Sequence, residues 1–483
     1  MESEKCTGAT TTLIQLQSAE GQKAGGVLDV PLHSTPKQLT ELLNHLLENE
    51  EPLPYAFFLR PSRTEINTSL EDALSTSSQT RETVAQIEYT PQSLFRVRPL
   101  TRCTASLPGH KEAVLVATFS PDATLIATGS GDTTVRLWSS HGQMPEATLE
   151  GHRDWVLALA FSPDAAKLAS ASKDGSVRVW DMTTKTGKAL SSHRKWVTDL
   201  CWQPFHLDER CTLLVSSSKD STLRIWNTAN STCAKLLAGH TAAVTTVVWS
   251  GEGVIYSASQ DRTIKVWDPT TGLPTRSINA HGHWVNSMTL STDYILKCGA
   301  FPALDEELGY APKKMTMQEA RQRYDDAKRK STGGKERMVS GSDDFTLMLW
   351  EDIWRKEGNT KPITRMTGHQ QLVNCVAFSP NGMYIASASF DKSVRLWDGT
   401  TGRFCYTFRG HVGAVYRLVW SADGRLLMSA SKDSTCKVWD MRTRKLKMDL
   451  PGHSDEVYTV DWSTDGRRAV SAGKDKMVKI WHH

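Results

Sequence analysis

The sequence predicts an all-β propeller of eight blades behind a small α/β domain, and three observations carry that reading. A Gly-His pair, or a variant of it, recurs eight times between residues 109 and 453. Each copy is followed by a Trp that has an Asp six residues before it. The first 95 residues contain no Trp, and their net charge is opposite to that of the rest.

The repeat sets the fold, because self-similarity at a period of about 40 residues marks solenoids and propellers. Gly-His occurs at Gly109-His110, Gly151-His152, Gly239-His240, Gly368-His369, Gly410-His411 and Gly452-His453, and Ser192-His193 and Ala280-His281 fill two more slots. The Asp/Trp pairs are Asp132/Trp138, Asp174/Trp180, Asp220/Trp226, Asp261/Trp267, Asp344/Trp350, Asp391/Trp397, Asp433/Trp439 and Asp475/Trp481. The His-to-Trp distance is 28 residues in five units, 27 in the fourth, 33 in the third and 69 in the fifth. Apolar runs such as Trp155-Val-Leu-Ala-Leu-Ala-Phe161 read as strands, and Ser162-Pro-Asp164 and Lys173-Asp-Gly175 read as turns.

These residues resemble the WD40 family over residues 100–483, with Trp-Asp itself at Trp180, Trp267, Trp397 and Trp439. The resemblance implies one four-stranded antiparallel sheet per unit, packed radially so that both faces are covered. It also implies that the His, the turn Asp, a strand Ser or Thr and the Trp form a buried hydrogen-bonded set, as in His110/Asp132/Trp138, His152/Asp174/Trp180 and His411/Asp433/Trp439. A buried indole N–H needs such a partner. Residues repeated in every unit are structural, since a catalytic group does not recur eight times.

Two irregularities carry information. Trp481 lies two residues from the end of the chain, which leaves the last blade without an outer strand of its own. Cys103-Thr-Ala-Ser-Leu107 resembles outer strands such as Cys405-Tyr-Thr-Phe408 and is expected to complete that blade, removing an exposed edge. In the fifth unit the extra length, at about residues 301–336, predicts an insertion between two strands of blade five, in part without fixed structure. A ninth blade would need a second His slot, and only His281 is present. Met317–Lys330 within the insertion is helix-like. Lys313-Lys314 and Lys328-Arg-Lys330 are basic clusters that suit nuclear import or a nucleic-acid contact.

The register also locates a binding rim. Trp155, Trp196 and Trp284 each fall three residues after a His slot, and Tyr416 and Tyr458 follow the first Val of their strands. Lys173, Lys219, Phe390, Lys432 and Lys474 each precede a turn Asp. Aromatic side chains beside cations suit a protein interface or stacked RNA bases.

Residues 1–95 read as the α/β domain and 96–483 as the propeller. Strand-like runs at Thr11–Leu16, Val27–Leu32, Tyr55–Leu59 and Val84–Tyr89 flank a helix that begins at Ser34-Thr35-Pro36 and carries Leu39, Leu42, Leu43, Leu46 and Leu47. A short helical turn is expected at Ser69–Leu74. The order is ubiquitin-like, without a processable Gly-Gly tail. This head holds 6 Lys/Arg against 13 Asp/Glu, a net of −7, and the remainder holds 51 against 40, a net of +11. An acidic head on a basic body predicts two surfaces with different partners. Nine cysteines without a Cys-x-x-Cys pair, and no apolar leader, predict mostly buried, reduced thiols in a cytosolic or nuclear protein. No run approaches the roughly 20 apolar residues of a membrane span.

The two domains together, with the junction Tyr89-Thr-Pro-Gln-Ser-Leu-Phe-Arg-Val-Arg-Pro-Leu-Thr-Arg102, resemble the Notchless family. That resemblance implies a nuclear and nucleolar, non-enzymatic assembly factor of the large ribosomal subunit, acting as a monomer within a large complex and without membrane insertion. The propeller would bind the pre-ribosomal particle through its RNA and proteins. The ubiquitin-like domain would bind midasin, a giant AAA-type ATPase whose metal-dependent adhesion domain supplies a divalent ion. The family is also associated with Notch signalling. The carboxylate offered to that Mg²⁺ is expected in the loop before the last strand of the head, Ser75–Thr83, whose only acid is Glu82. No cofactor of the chain's own is implied.

A second reading stays open: a substrate receptor or signalling scaffold in ubiquitin ligation or Notch regulation, because the fold alone does not decide function. No enzyme motif competes. Ser331-Thr-Gly-Gly-Lys335 lacks the spacing of a phosphate-binding loop, and Gly129-Ser-Gly131 lies at a blade turn rather than at a strand-to-helix elbow.

Overall fold

A computed structural model describes residues 11–18, 23–47, 55–60, 64–66, 69–76, 84–91, 102–142, 144–301, 314–355 and 361–482. The chain divides into two compact units, Met1–Arg96 and Val97–His483.

The first unit is a mixed five-stranded sheet. Its strands are β1 (Thr11–Ser18), β2 (Lys23–Pro31), β3 (Tyr55–Leu59), β4 (Thr64–Glu65) and β5 (Ala85–Pro91), in the order β2-β1-β5-β3-β4. β1 and β5 run parallel, and β2 and β3 pair antiparallel on either side of them. Helix α1 (Pro36–Leu46) starts where Thr35 and Gln38 form a capping box, with the Gln38 side chain accepting from the Thr35 N–H at 2.9 Å. Its Leu39 and Leu43, one turn apart, pack on Ile14, Leu16, Phe57 and Ile87. Leu46 and Leu47, expected on the same face, are exposed. Helix α2 (Leu70–Thr76) adds Leu70 and Ala73 to the core. The two-residue β4 was too short to leave a sequence pattern.

The second unit consists of eight four-stranded sheets. Their first strands are Val114–Phe119, Val156–Phe161, Val197–Trp202, Val244–Trp249, Val285–Leu290, Val373–Phe378, Val415–Trp420 and Val457–Trp462. Each of these touches the first strand of the next blade, and the last touches the first, so they form the inner wall of a closed ring. The apolar core lies between blades. One cluster joins Leu107, Val114, Phe119, Ile126 and Trp138 to Val470, Ala472, Val478 and Ile480 across the closure. Strand β6 (Arg102–Leu107) pairs antiparallel with Val478–His482 and completes blade eight, as the register predicts.

An inner strand would expose a row of unpaired backbone groups, which cost free energy if left unsatisfied. Side chains of the preceding blade meet several of them. Asp461 accepts from the Phe119 N–H at 2.9 Å, and Asp199 accepts from the Val247 N–H at 3.1 Å and the Thr246 hydroxyl at 2.8 Å. Thr245 donates to the Val285 carbonyl at 2.6 Å, and Asn286 donates to that of Val373 at 3.1 Å.

The insertion lies between the first and second strands of blade five and contains α3 (Asp293–Cys298) and α4 (Met317–Thr332). From blade five, Lys297 Nζ reaches Asp461 of blade eight at 2.5 Å, and the Ala300 N–H donates to Pro163 of blade two at 3.0 Å. These three blades are not neighbours, so the segment crosses the mouth of the ring at the end where the first strands finish. Helix α4 covers the run Met317–Lys330 that reads as helix-like in the sequence. Thr316 and Glu319 cap its start, and Gly333 ends it with a left-handed φ of 66°. Its Ala320, Tyr324, Lys328 and Ser331 are buried. Residues 302–313 lie outside the described residues.

The cysteine expectation needs correction. None of the eight described cysteines is in a disulfide, but only Cys211, Cys298 and Cys436 are buried. Cys201 and Cys375, on first strands, are only partly buried, and Cys201 Sγ accepts from the Trp249 N–H of the next blade at 3.3 Å. No helix among the described residues is long and apolar enough to cross a membrane.

Candidate interaction rim

The repeated His, Asp and Trp residues meet at one end of each blade, through a hydroxyl always found ten residues before the Trp. In blade one, Trp138 Nε1 donates to Thr128 Oγ1 at 2.9 Å, His110 Nε2 lies 2.9 Å from the same oxygen, and His110 Nδ1 lies 2.9 Å from Asp132. Blade seven repeats this through Ser429, with His411 2.8 Å from both Ser429 and Asp433. The hydroxyl accepts from the indole and turns its own proton to the imidazole, leaving the other ring nitrogen to donate to the carboxylate. A neutral His satisfies every partner in that arrangement. Blade two departs from it. There Ser176 Oγ lies 3.0 Å from His152 Nδ1, while Asp174 stands back at 3.6 Å. The hydroxyl positions were not singled out from the sequence, although their constant spacing to the Trp was visible.

The Asp does two jobs. One oxygen of Asp132 faces His110 and accepts from the Lys111 N–H at 2.9 Å, and the other accepts from the Thr134 N–H at 3.0 Å. This closes a turn around a left-handed residue, such as Thr133 with φ 68° or Lys392 with φ 68°. Burial pushes the Asp132 carboxyl up, but the Thr134 hydroxyl, the Lys111 N–H and His110 outweigh it and hold it down at about 2. Asp220 behaves the same way, also at about 2. Burial lowers His110 and His193 below their ordinary value, and their Asp partners offset part of that. Gly151, Gly368, Gly410 and Gly452, before the His of their blades, have a φ that side chains rarely adopt, whereas Ser192 and Ala280 fill the slot in blades three and five. At Gly151, with φ 149°, a Cβ would come within 2.5 Å of the Arg178 guanidinium.

The rim surrounds these sets. Trp155, Trp196 and Trp284 are 45, 40 and 44% exposed. Lys173 Nζ lies between the first two rings, 4.6 Å from the Trp155 centroid and 4.9 Å from that of Trp196, and Lys219 Nζ lies 4.3 Å from Trp196. The third Trp is not part of that group. Trp284 packs against His283 of its own loop, 5.2 Å between centroids, because blade four, with Ala243 in the corresponding place, separates it from Trp196. Across the ring, Phe390, Tyr416 and Tyr458 form a chain with centroid separations of 5.8 and 5.6 Å. The Tyr416 hydroxyl donates to Glu456 at 2.9 Å, and burial followed by that carboxylate raises its pKa above the ordinary range. Lys432 lies 3.8 Å from Glu456, and Lys474 lies 3.2 Å from Asp455.

Sequence reasoning missed Arg153, Arg194, Lys195 and Arg262, all exposed in the same arc as Trp155 and Trp196. Their signal was position, within two residues after a His slot or directly after a turn Asp. The basic cluster Lys328-Arg-Lys330 is split: Arg329 and Lys330 are exposed, and Lys328 is not. Lys328 is buried 2.5 Å from Glu252, and Arg329 is 3.4 Å from Asp326, because α4 turns Lys328 toward blade four. Lys313 and Glu82 lie outside the described residues. No group of three or more His, Cys, Asp or Glu able to hold a metal occurs among the described residues.

Blade geometry, ring closure and the eight hydrogen-bonded sets define a WD40 propeller. The WD domain, G-beta repeat family matches seven segments, 101–139, 143–181, 184–227, 231–268, 360–398, 402–440 and 444–482. The eighth blade, blade five, is where the insertion parts the first and second strands. The NLE (NUC135) domain family matches residues 12–74. The chain is 47% identical to Protein Notchless of Drosophila melanogaster, over 77% of this chain and 75% of that one. It is 49% identical to the Notchless protein homolog of Arabidopsis thaliana, over 83% of each. Identity to Ribosome assembly protein 4 of Saccharomyces cerevisiae is 45%, over 80% of this chain and 78% of that one. The chain therefore belongs to the Notchless family. The crystal structure of the computationally designed Ika8 protein is similar in fold alone, with a TM-score of 0.62 at 24% identity, over 79% of this chain and 100% of that one.

Proposed function

We propose that this protein is a non-enzymatic assembly factor of the large ribosomal subunit that acts in the nucleus and nucleolus. The observation that carries the reading is the 45% identity, over most of both chains, to a yeast protein named for ribosome assembly. The rim supports it, since exposed aromatic side chains beside lysines suit a large ribonucleoprotein partner. In this reading the propeller holds the pre-ribosomal particle through Trp155, Trp196, Trp284, Phe390, Tyr416, Tyr458, Lys173, Lys219, Lys432 and Lys474. The acidic head engages the metal-dependent adhesion domain of a midasin-type AAA ATPase. Glu82 supplies the carboxylate, and the partner supplies Mg²⁺, a hard cation suited to a single carboxylate among other oxygens. ATP-driven remodelling is then the partner's chemistry, and this chain transmits it. An association with Notch signalling, which the family resemblance implies, is part of the same proposal.

Two measurements test the reading. Sedimentation of a cell lysate is expected to place the protein with large nucleolar particles. A wholly soluble pool bound to ligase subunits would instead favour a receptor role. Glu82→Ala and Glu82→Asp are expected to abolish Mg²⁺-dependent binding to the adhesion domain with the fold intact, and unchanged affinity would remove Glu82 from the mechanism.

A further inference from the structure

We infer that the arc of the rim on blades two to four is a platform for single-stranded RNA, distinct in chemistry from the arc on blades six to eight. The inference rests on the assembly-factor reading and narrows it to one kind of ligand on one part of the ring.

Charge compensation separates the two arcs. In the second arc Lys432 and Lys474 stand beside Glu456 and Asp455, which leaves Lys392 and Lys476 exposed without an ion pair among the described residues, two against the five of the first arc. In the first arc Arg153, Arg194, Lys195, Lys219 and Arg262 are all exposed, and none takes part in an ion pair among the described residues. Its one paired cation is Lys173, 3.8 Å from Asp154. Five uncompensated cations on adjoining loops attract a polyanion.

Aromatic placement then selects among polyanions. Trp155 and Trp196 stand at equivalent places on successive blades, bridged by Lys173. An acidic peptide would satisfy the cations and leave two indoles without a partner. It would also find no free strand edge there, since the Trp155 and Trp196 carbonyls already accept from the Lys173 and Lys219 N–H groups at 2.9 and 2.8 Å. Duplex RNA hides its base faces. A single strand offers both bases to stack and phosphates to pair, and indoles beside cations are what such a strand requires. On binding, the ammonium groups of Lys173 and Lys219 leave the indole faces for phosphates, and bases take their place on the rings.

The test uses the full chain and a labelled oligouridylate of about 12 nucleotides, read by anisotropy at several salt concentrations and by quenching of indole fluorescence. The Trp155→Ala/Trp196→Ala variant is expected to lose roughly 30-fold or more in affinity with little change in salt slope, while Trp155→Phe/Trp196→Phe keeps most of it. Lys173→Gln/Lys219→Gln is expected to lower the salt slope by about 1.4, from roughly 0.7 for each phosphate that is no longer neutralised. Tyr416→Ala/Tyr458→Ala is expected to bind RNA as the parent does. Thermal midpoints close to that of the parent show that the variants remain folded. Equal binding of duplex RNA, or no loss in the Trp→Ala variant, overturns the proposal. Polyglutamate that competes as well as RNA reassigns the arc to an acidic peptide. Sedimentation of the parent protein with large particles is read separately, so failure of the RNA proposal is distinguishable from failure of the assembly reading.

Discussion

The buried sets and the rim occupy neighbouring positions in every blade, yet they differ in one respect. In all eight blades the set is His, Asp, Trp and a hydroxyl residue, Thr in blade one and Ser in the others, ten residues before the Trp and accepting from the indole N–H. The rim position three residues after the His is Trp in blades two, three and five, Ala in blades one, four and seven, Leu in blade six and Glu in blade eight. Repetition marks what each sheet needs in order to close on its neighbours. Variation marks where the ring can tell one partner from another.

The largest effects are expected on the buried side. Trp439→Ala is expected to cost about 3–5 kcal/mol, because it removes a buried ring together with the donor to Ser429. Chemical denaturation would show it, and a loss below about 1 kcal/mol would mean that a single set is dispensable. Asp433→Asn is expected to cost about 1.5–3 kcal/mol, the scale of a hydrogen bond to a charged group, because the carboxylate serves His411, the Val412 N–H and the Thr435 turn.

A third substitution tests the insertion against the regular blades. In Gly251→Ala the new Cβ would lie 2.2 Å from the Tyr324 ring, which is stacked on His206 at 4.8 Å. A loss of about 1–3 kcal/mol is expected. Faster proteolysis within residues 317–332 would show that α4 is levered off blade four, and an unchanged cleavage pattern would show that it is held elsewhere.

The pH dependence is expected to run in opposite directions in the two regions. Asp132 at about 2 stabilises the fold above its unfolded value of 3.8, and that contribution is lost as pH falls toward 2. The lowered His110 and His193 add to this, since below about 6.5 the unfolded chain takes up their protons first. Near α4, burial raises the Glu336 carboxyl to about 7, although Ser250 and Tyr324 donate to it at 2.6 and 3.1 Å. Its contribution is present below 4.5 and is lost as pH rises through about 7. Acid is therefore expected to lower the midpoint of the whole propeller. Mild alkali is expected to reduce hydrogen-exchange protection of α4 first, after correction for the intrinsic exchange rate. Equal protection of α4 at pH 6 and pH 8 would remove Glu336 from its anchoring.

The smallest expected effect on stability lies on the rim. Trp155→Ala is expected to change folding stability by no more than about 0.5 kcal/mol, because the ring is nearly half exposed, while still weakening partner binding. A large loss of stability would make this Trp a covering residue of the blade rather than part of a binding surface.

Much of this was legible in the residues because a propeller is built from local rules. The His, Asp and Trp spacings mark seven of the blades within some 33 residues each, and the likeness of Cys103–Leu107 to the outer strands elsewhere marks the strand that pairs with Val478–His482. Positions on the rim follow from the same register. What sequence reading could not supply were relations between blades. It gathered three Trp where the ring joins two, and it gave a basic cluster to solvent where Lys328 is buried against Glu252. It marked a helix in the insertion but not its attachments, by which α3 and α4 tie blade five to blades two, four and eight. Spacing along a chain repeats in every blade, whereas distance across the ring depends on which blades face each other and which charges a neighbour already satisfies. Local hydrogen bonding therefore made the scaffold readable from the amino acids, and only the closed ring decided which cations remain unpaired and which aromatic side chains stand together.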